Sequence, residues 1–219
     1  MSQVDVIMPV HNQNGVWLSE AQRSIADQPQ IGKLAVISSS SLPKEIVAPS
    51  YEAIYTQINN GVALTKSKYI LVFGSDDVMY PGMIQELVNV AEYNNAKIVY
   101  CNYEMMTENG NHMDYVRINP RYEFGLNCKT SHYPDVSLFR RDVVEEFGGW
   151  DVSKGRYAMW WLWLQIGRKY PNDIHHCPYF GFRYRQHEGG MHNRERRGDR
   201  EAFVNSIREW LGHVPSVSA

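Results

Sequence analysis

The sequence is poor in cysteine and has neither a long apolar run nor an excess of charge of one sign. Its 3 cysteines, Cys101, Cys128 and Cys177, are far apart and form no CxxC pair. A disulfide framework is therefore not expected, and reduced cytoplasmic thiols are the simplest interpretation. The most apolar stretch, residues 157–167, is too short for a membrane span, and the N-terminus lacks the pattern of a signal peptide. We expect a soluble cytoplasmic protein without a transmembrane segment.

The charges nearly cancel, which gives no global reason to expect binding to nucleic acid or anionic lipid. Lys and Arg number 22 and Asp and Glu 24, a formal net charge of −2 over 219 residues. With 43% hydrophobic residues, the chain can bury a substantial core, which excludes a disordered chain. The length suits one domain over residues 1–219 rather than two independent cores.

The first half, residues 1–101, alternates between strand-like and helix-like patterns. Apolar, β-branched runs predict strands, and apolar residues at helical spacing predict helices. The predicted strands are Val4–Val10, Leu34–Ile37, Ala53–Ile58, Tyr69–Phe73 and Lys97–Cys101; the predicted helices carry Leu18, Ala21 and Ile25, and Ile84, Leu87, Val88 and Ala91 after Pro81. This alternation predicts an α/β fold with a mostly parallel sheet between helices. Ligands are then expected in the loops after Val10, Ile37 and Phe73, at the carboxyl ends of strands.

The second half, residues 102–219, is less regular. Residues 103–134 are interpreted as a hairpin or a loop, and the helix Arg141–Phe147 is predicted to stop at Gly148 and Gly149. Residues 157–166 predict an aromatic helix in which 3 of the residues 160–163 are Trp, so at least one ring should line a groove. A final amphipathic helix carries Phe203, Ile207, Trp210 and Leu211.

Two neighbouring carboxylates, Asp76 and Asp77, follow the clearest predicted strand in the segment Gly74-Ser75-Asp76-Asp77. Hard oxygen ligands at this position suit Mg²⁺ or Mn²⁺ and, through the cation, a diphosphate. The alternative is that one aspartate only caps the turn or the following helix.

A second group of polar residues alternates along a late strand-like run. Alternation places Arg183, Arg185 and His187 on one face, where they could contact phosphate oxygens or complete a metal site. A solvated basic loop is the plainer interpretation. Nucleic-acid binding is a third, because further arginines follow at Arg194, Arg196, Arg197 and Arg200.

Taken together, these segments resemble the family 2 glycosyltransferases, which have the GT-A fold. The similarity covers residues 4–192, and its pieces occur in the family's order: VDVIMPVHN, INNGVALTKSKYILVFGSDD, LFRRDVVEEFGGWD, WWLWLQIG and YRQH. The resemblance implies a nucleotide-sugar half at 1–101 and an acceptor half with a C-terminal helix at 102–219.

The resemblance also implies roles for individual residues. Asp76, Asp77 and His187 would hold Mn²⁺ or Mg²⁺ between the two phosphates of the donor, most simply a UDP-sugar. The expected donor contacts are Pro9, His11, Asn12, Ser38, Asn59, Gly61, Asp76 and Arg185.

Several positions depart from the family pattern. The acidic pair after the second strand is replaced by Ser38 and Ser39, and the first aspartate of the metal motif by Gly74. The acidic pair that holds the catalytic base of inverting enzymes falls on Ala158 and Met159. Asp135 or Asp151 could act as the base instead, the sugar could be transferred with retention, or the chain could bind a nucleotide sugar without turnover.

The sequence therefore predicts a metal-dependent glycosyltransferase that moves a sugar to a hydroxyl acceptor, with open stereochemistry. A non-catalytic nucleotide-sugar or carbohydrate-binding protein is one alternative. A glycosyltransferase acting on modified DNA bases is the other, suggested by the arginine-rich segment.

Overall fold

The computed structural model describes residues 3–46, 48–131, 133–190 and 199–212. The strands are β1 (Val4–Val10), β2 (Ile31–Ser38), β3 (Tyr69–Val72), β4 (Val78–Met79), β5 (Ile98–Met106), β6 (His112–Arg117), β7 (Ser137–Arg140) and β8 (Ile174–Arg185). The α-helices are α1 (Gly15–Ala26), α2 (Tyr51–Ala63), α3 (Met83–Asn94), α4 (Phe124–Asn127), α5 (Arg141–Glu146), α6 (Ala158–Lys169) and α7 (Asp199–Gly212). Short 3₁₀ segments cover Ser39–Ser41 and Val152–Tyr157.

The central sheet is mixed, in the order β2-β1-β3-β7-β5-β8-β4, with β6 paired to β5. The β1–β2, β1–β3 and β5–β8 pairs are parallel, whereas β3–β7, β5–β7, β5–β6 and β4–β8 are antiparallel. The expectation of a mostly parallel sheet therefore holds for β1–β3 but is wrong for the whole sheet. The β7 strand is antiparallel to both of its neighbours, β3 and β5.

The sheet lies between two layers of helices. On one face, Ala21 and Ile25 of α1 and the apolar side of α3 cover the even-numbered β1 residues. On the other face, α2, α5 and α6 cover Ile7 together with Ile70 and Val72. Side chains of one strand thus supply both cores, which explains why β3 is continuously apolar in sequence and β1 is apolar except for Asp5.

The segment Ala53–Ile58 is helical, within α2, and the prediction of a strand there is wrong. Ser50 caps this helix, because its hydroxyl accepts a hydrogen bond from the Ala53 N–H at 3.0 Å. The helix also packs closely against β1, since a Cβ on Gly61 would lie 2.4 Å from Ile7 Cγ2. The cap and this contact outweigh the β-branched and aromatic composition of the segment.

The aromatic helix is confirmed as α6 and the hairpin as β5–β6. The predicted glycine stop of α5 is also confirmed, because the Gly149 N–H donates to Val144 O at 2.9 Å. Helix α7 packs outside α6 through Phe203 and Ile207, which contact Trp160 and Leu164. All 3 cysteines are free thiols, and every helix in the described ranges is too short or too polar to cross a bilayer.

Candidate active site

A cleft of about 910 Å³ opens at the carboxyl ends of β1 and β3. One wall comes from residues 9–14 after β1 and residues 72–77 after β3, and α2 supplies a second. A further wall comes from Thr130, Ser131, Asp135 and Val136 and from the segment that enters α6. The cleft lies at the edge of the sheet where the sequence predicts a ligand, and its size suits a nucleotide-sized ligand.

The two aspartates of the acidic turn differ in their surroundings, although both line the cleft. Asp76 Oδ2 lies 2.9 Å from His187 Nε2. Asp77 is buried and its Oδ1 accepts a hydrogen bond from the Arg185 N–H at 3.0 Å. Burial, followed by the charge of Asp76, raises the pKa of Asp77 well above its usual range. Asp76 is therefore the accessible carboxylate of the pair, whereas Asp77 is buried in the protein.

Gly74 makes room for both carboxylates. A Cβ at this position would lie 2.7 Å from Asp77 Oδ2 and 2.9 Å from Asp76 Oδ1. Any side chain at residue 74 would thus displace at least one carboxylate. This close approach gives a physical reason for glycine where the family pattern has its first aspartate.

Arg185 does not line the cleft, which corrects the prediction that it contacts phosphate. Its side chain is 2% exposed, donates from Nε to Asp76 O at 2.8 Å, and pairs through Nη2 with Glu20 Oε2 at 2.7 Å. Its Cζ also lies 5.2 Å from the ring centroid of Trp17. Because it also holds Asp77 through its backbone N–H, Arg185 fixes the acidic turn from behind.

The late Arg/His run does not present one common ligand-binding face. His187 reaches the cleft, whereas Arg183 lies over Tyr80, with its Cζ 5.8 Å from the ring centroid. Arg194, Arg196 and Arg197 lie outside the described residues. Of the basic stretch, His187 and Arg200 line the cleft within the described part of the chain.

Some of the residues predicted to bind the nucleotide lie together in the cleft, and others do not. Pro9, His11 and Asn12 line the cleft, and His11 Nδ1 lies 2.7 Å from the Ser39 hydroxyl. Ser38 does not line the cleft and instead accepts from the Ser40 N–H at 3.2 Å. The placement of Ser38 in the donor pocket is therefore corrected, because its hydroxyl caps the 3₁₀ turn.

Asn59 and Gly61 also lie away from the cleft surface, contrary to prediction. Asn59 donates to Trp150 O at 2.8 Å and accepts from the Trp150 N–H at 3.0 Å. It therefore joins α2 to the loop before α6. Gly61 serves the contact of α2 with Ile7 described above.

Gln57 was not predicted from the sequence; it is buried and lines the cleft. Its Nε2 donates to Val10 O at 2.9 Å and also to Ile37 O. Gln57 thereby joins the C-terminal ends of β1 and β2, behind the residues that were predicted to bind the nucleotide. The available signal was an amide on the helix face shared by Ala53 and Gly61, at a four-residue spacing.

Asp135 and Asp151, the two predicted catalytic residues, have different positions. Asp135 lines the cleft, and desolvation by the surrounding protein raises its pKa to about 6, partly offset by the positive charge of Arg156. Asp151 lies outside the cleft lining, and its Oδ1 accepts from the Ser153 N–H at 3.0 Å and from the Ser153 hydroxyl at 2.6 Å. Asp151 is a cap, so its proposed catalytic role is corrected.

The positions of the missing acidic pair are apolar and packed. Ala158 is buried, and Met159 Sδ accepts from the Trp150 indole N–H at 3.1 Å. Trp160 lines the cleft, as the aromatic pattern predicted for at least one of these rings. Its indole N–H donates to Asn127 O at 2.7 Å, which fixes the ring at the cleft surface.

Comparisons with known proteins agree with this fold. Residues 44–148 match the family model described as glycosyl transferase family 2. Two uncharacterized glycosyltransferases, from Rickettsia typhi and Rickettsia prowazekii, are 25% and 26% identical over 150 residues, 62% of this chain. The matched region spans 45% of each relative's own length.

Solved structures support the same fold. S. aureus TarS residues 1–349 in complex with UDP-GlcNAc superimpose with a TM-score of 0.64 at 12% identity, covering 89% of this chain and 61% of that one. The complex of the same fragment with UDP gives a TM-score of 0.61 at 11% identity, covering 84% and 60%. The fold is thus that of the GT-A glycosyltransferases. Together with the match over residues 44–148 and the two relatives, this fold makes the chain similar to the family 2 glycosyltransferases.

Proposed function

We propose that this protein transfers a sugar from a nucleoside diphosphate sugar, most simply a UDP-sugar, to a hydroxyl acceptor. The observation that carries the proposal is the Asp76–His187 pair at the end of β3, facing a cleft that Asp135 also lines. The TarS complexes with UDP-GlcNAc and UDP support a uridine nucleotide as the first donor to test.

Asp76 and His187 are the side chains that would hold a divalent cation. Among the described residues, no group of three or more His, Cys, Asp or Glu side chains is arranged to hold a metal ion, so the predicted triad with Asp77 is not assembled. One carboxylate and one imidazole still suit Mg²⁺ or Mn²⁺ that keeps water and phosphate oxygens as further ligands. When bound, such a cation would neutralise the charge of the leaving diphosphate.

Asp135 is the group that would take the proton of the acceptor hydroxyl. As the hydroxyl oxygen bonds to the anomeric carbon, the bond from that carbon to the phosphate breaks and the nucleoside diphosphate leaves. A pKa of about 6 keeps Asp135 ionised at neutral pH yet basic enough to accept the proton. Asp135 lines the cleft together with Arg156 and Trp160, and we call this side of the cleft the acceptor wall. With an enzymic base there, the configuration at the anomeric carbon is inverted.

The test measures release of UDP and product formation from a panel of UDP-sugars with a panel of sugar acceptors and Mn²⁺. Asp76→Ala and Asp135→Asn are each expected to reduce transfer, whereas Asp114→Ala, at an exposed site on the edge strand β6, is the matched control. Nuclear magnetic resonance of the product gives its anomeric configuration. Unchanged transfer in both site variants would contradict the proposal, and retained configuration would contradict the role of Asp135.

A second function, nucleotide-sugar binding without turnover, is favoured by one observation. The acidic positions of the family pattern are filled by Ala158 and Met159, both packed in the core. This alternative predicts calorimetric binding of UDP-sugar with no product from any acceptor and no effect of Asp135→Asn on binding.

A further inference from the structure

Two arginines line the acceptor wall of the cleft. Arg156 precedes α6 and Arg200 lies in the first turn of α7, and both contribute to the cleft surface. The carboxylate on the same wall is Asp135, whose pKa Arg156 lowers. Two guanidinium groups thus accompany one carboxylate, and that carboxylate is neutralised when it accepts a proton.

Aromatic packing holds the two arginines on the same wall. The Arg156 Cζ lies 5.6 Å from the ring centroid of Tyr51 and 5.5 Å from that of Tyr157. Tyr157 stacks on Phe203 with ring centroids 4.4 Å apart and planes 13° apart. Phe203 lies three residues after Arg200, about one turn along α7, so the Tyr157–Phe203 stack joins the helix that carries Arg200 to the segment that carries Arg156.

The contact made by Arg200 leaves its charge available to a ligand. Its Nη2 donates to the hydroxyl of Thr130, a neutral group that also lines the cleft. A guanidinium has five N–H donors in a planar fork, which suits the paired oxygens of phosphate and carboxylate. The guanidinium of Arg156 is oriented by its cation–π contacts with Tyr51 and Tyr157.

We propose that the acceptor carries an anionic group, a phosphate or a carboxylate, that binds to Arg156 and Arg200 while its hydroxyl faces Asp135. This inference rests on the proposed function, because it names the substrate class of the acceptor wall. It also explains why an acceptor site would tolerate Ala158 and Met159 in place of two acids. A carboxylate pair there would add negative charge beside the anionic substrate.

Calorimetry with the full chain, preloaded with UDP and Mn²⁺, tests this proposal without requiring turnover. The probes are glucose 6-phosphate, glucuronate and neutral glucose. We expect each anion to bind at least about tenfold more tightly than glucose, since hydrogen bonds to charged groups are the stronger class. The preference should shrink as NaCl is raised, because salt screens exposed charges.

The variants Arg156→Gln and Arg200→Gln should each weaken anion binding by about 10- to 100-fold and leave glucose binding unchanged. Arg23→Gln, on the exposed side of α1, is the matched control and should have no effect. Thermal melting of each variant verifies folding. If Arg156→Gln does not fold, Arg200→Gln alone decides the outcome.

Equal affinity for glucose and the two anions in the wild-type protein, or unchanged anion binding in both arginine variants, would overturn the proposal. A separate assay compares UDP-glucose with UDP-glucuronate as donors. If the arginine variants impair use of the glucuronate donor alone, the anionic group belongs to the donor and the proposal is wrong. Absence of transfer with normal anion binding would contradict the proposed function but not this assignment.

Discussion

We call the side of the cleft formed by the loops after β1 and β3 the donor wall, after the proposed function. The donor wall and the acceptor wall are built in different ways. On the donor wall, the acidic turn is held from behind by buried Arg185, and the ends of β1 and β2 are tied by buried Gln57. On the acceptor wall, side chains of Arg156 and Trp160 are positioned by packing between the entry to α6 and α7. The donor wall is a hydrogen-bonded frame, and the acceptor wall is an aromatic cluster that departs from the family pattern at Ala158 and Met159.

This difference predicts that substitutions on the two walls have different effects on stability, catalysis and acceptor choice. A frame made of buried hydrogen bonds costs much to alter, because a lost partner leaves a polar group unpaired. An aromatic cluster tolerates exchange of its neighbours more readily, provided volume is preserved. We therefore expect substitutions on the donor wall to affect folding and catalysis together, and those on the acceptor wall to affect catalysis or acceptor choice alone.

The largest expected effect is on the acceptor wall. Asp135→Asn should lower kcat about 10²–10⁴-fold, the usual contribution of a general base, with little loss of stability at neutral pH. Asp135 is exposed at the cleft surface, so the change to an amide of nearly the same shape should remove little packing. Initial rates of UDP release and urea unfolding measure both parts.

The matched control for that change is Asp151→Asn, because Asp151 caps the 3₁₀ segment outside the cleft lining. Its transfer rate should stay within about twofold of wild type, given that caps contribute to stability rather than chemistry. Equal losses in the two variants would remove the distinction between them.

The next largest effect is on the donor wall. Arg185→Ala should destabilise the protein by about 2–6 kcal/mol, because the backbone carbonyls of Asp76 and Glu108 each lose a donor, at about 1–3 kcal/mol for each unpaired group. Catalysis should fall as well, since the variant loses the hydrogen bond that holds the Asp76 carbonyl. Urea denaturation and residual activity below the transition measure the two losses.

Arg183→Ala is the comparison for Arg185→Ala, because Arg183 lies on the same strand but stacks on Tyr80. A smaller loss of stability is expected for it, and donor KM should not change. If Arg185→Ala were as stable as Arg183→Ala, the donor wall would not depend on the buried frame.

A smaller effect is expected at the junction between α2 and the loop before α6. Asn59→Ala should lower the free energy of unfolding by about 1–3 kcal/mol, the cost of leaving backbone groups unpaired, because both its hydrogen bonds go to Trp150. Donor KM should be unchanged. Asn60→Ala, at the exposed neighbouring position, is the control, and a raised KM specific to Asn59→Ala would restore its predicted donor contact.

The pH profile gives the smallest effect. The raised pKa of Asp135, about 6, means that the carboxylate is protonated and inactive below that pH. We expect kcat/KM to rise about tenfold per pH unit below pH 6 and to level off above it. Residual activity of Asp135→Asn should lack this limb; a limb that persists in the variant would assign it to another group.

The sequence was sufficient for features that depend on local pattern. The apolar runs of β1 and β3 and the helical spacing of α1, α3 and α6 predicted those elements because their burial is continuous or periodic. The acidic turn was located for the same reason, since it directly follows the buried strand β3.

The features that were missed depend on contacts distant in sequence. Arg185 was interpreted as a ligand, but the placement of β8 brings it to Glu20, 165 residues away. Asn59 meets Trp150, 91 residues away. The strand assigned to Ala53–Ile58 failed because the Ser50 cap and the close contact between Gly61 and Ile7 decide its conformation. None of these partners is implied by the residues next to them.

The central claim is that Asp76 and His187 provide a cation-dependent site for the diphosphate of a UDP-sugar. Titration calorimetry of UDP into the wild-type protein, with and without Mn²⁺, tests it most directly beside Asp76→Ala and the control Asp114→Ala. The account predicts that Mn²⁺ strengthens UDP binding at least about tenfold in wild type and control, as expected for direct neutralisation of phosphate charge, and that Asp76→Ala loses this gain. Mn²⁺-independent binding that is the same in all three proteins would contradict the account.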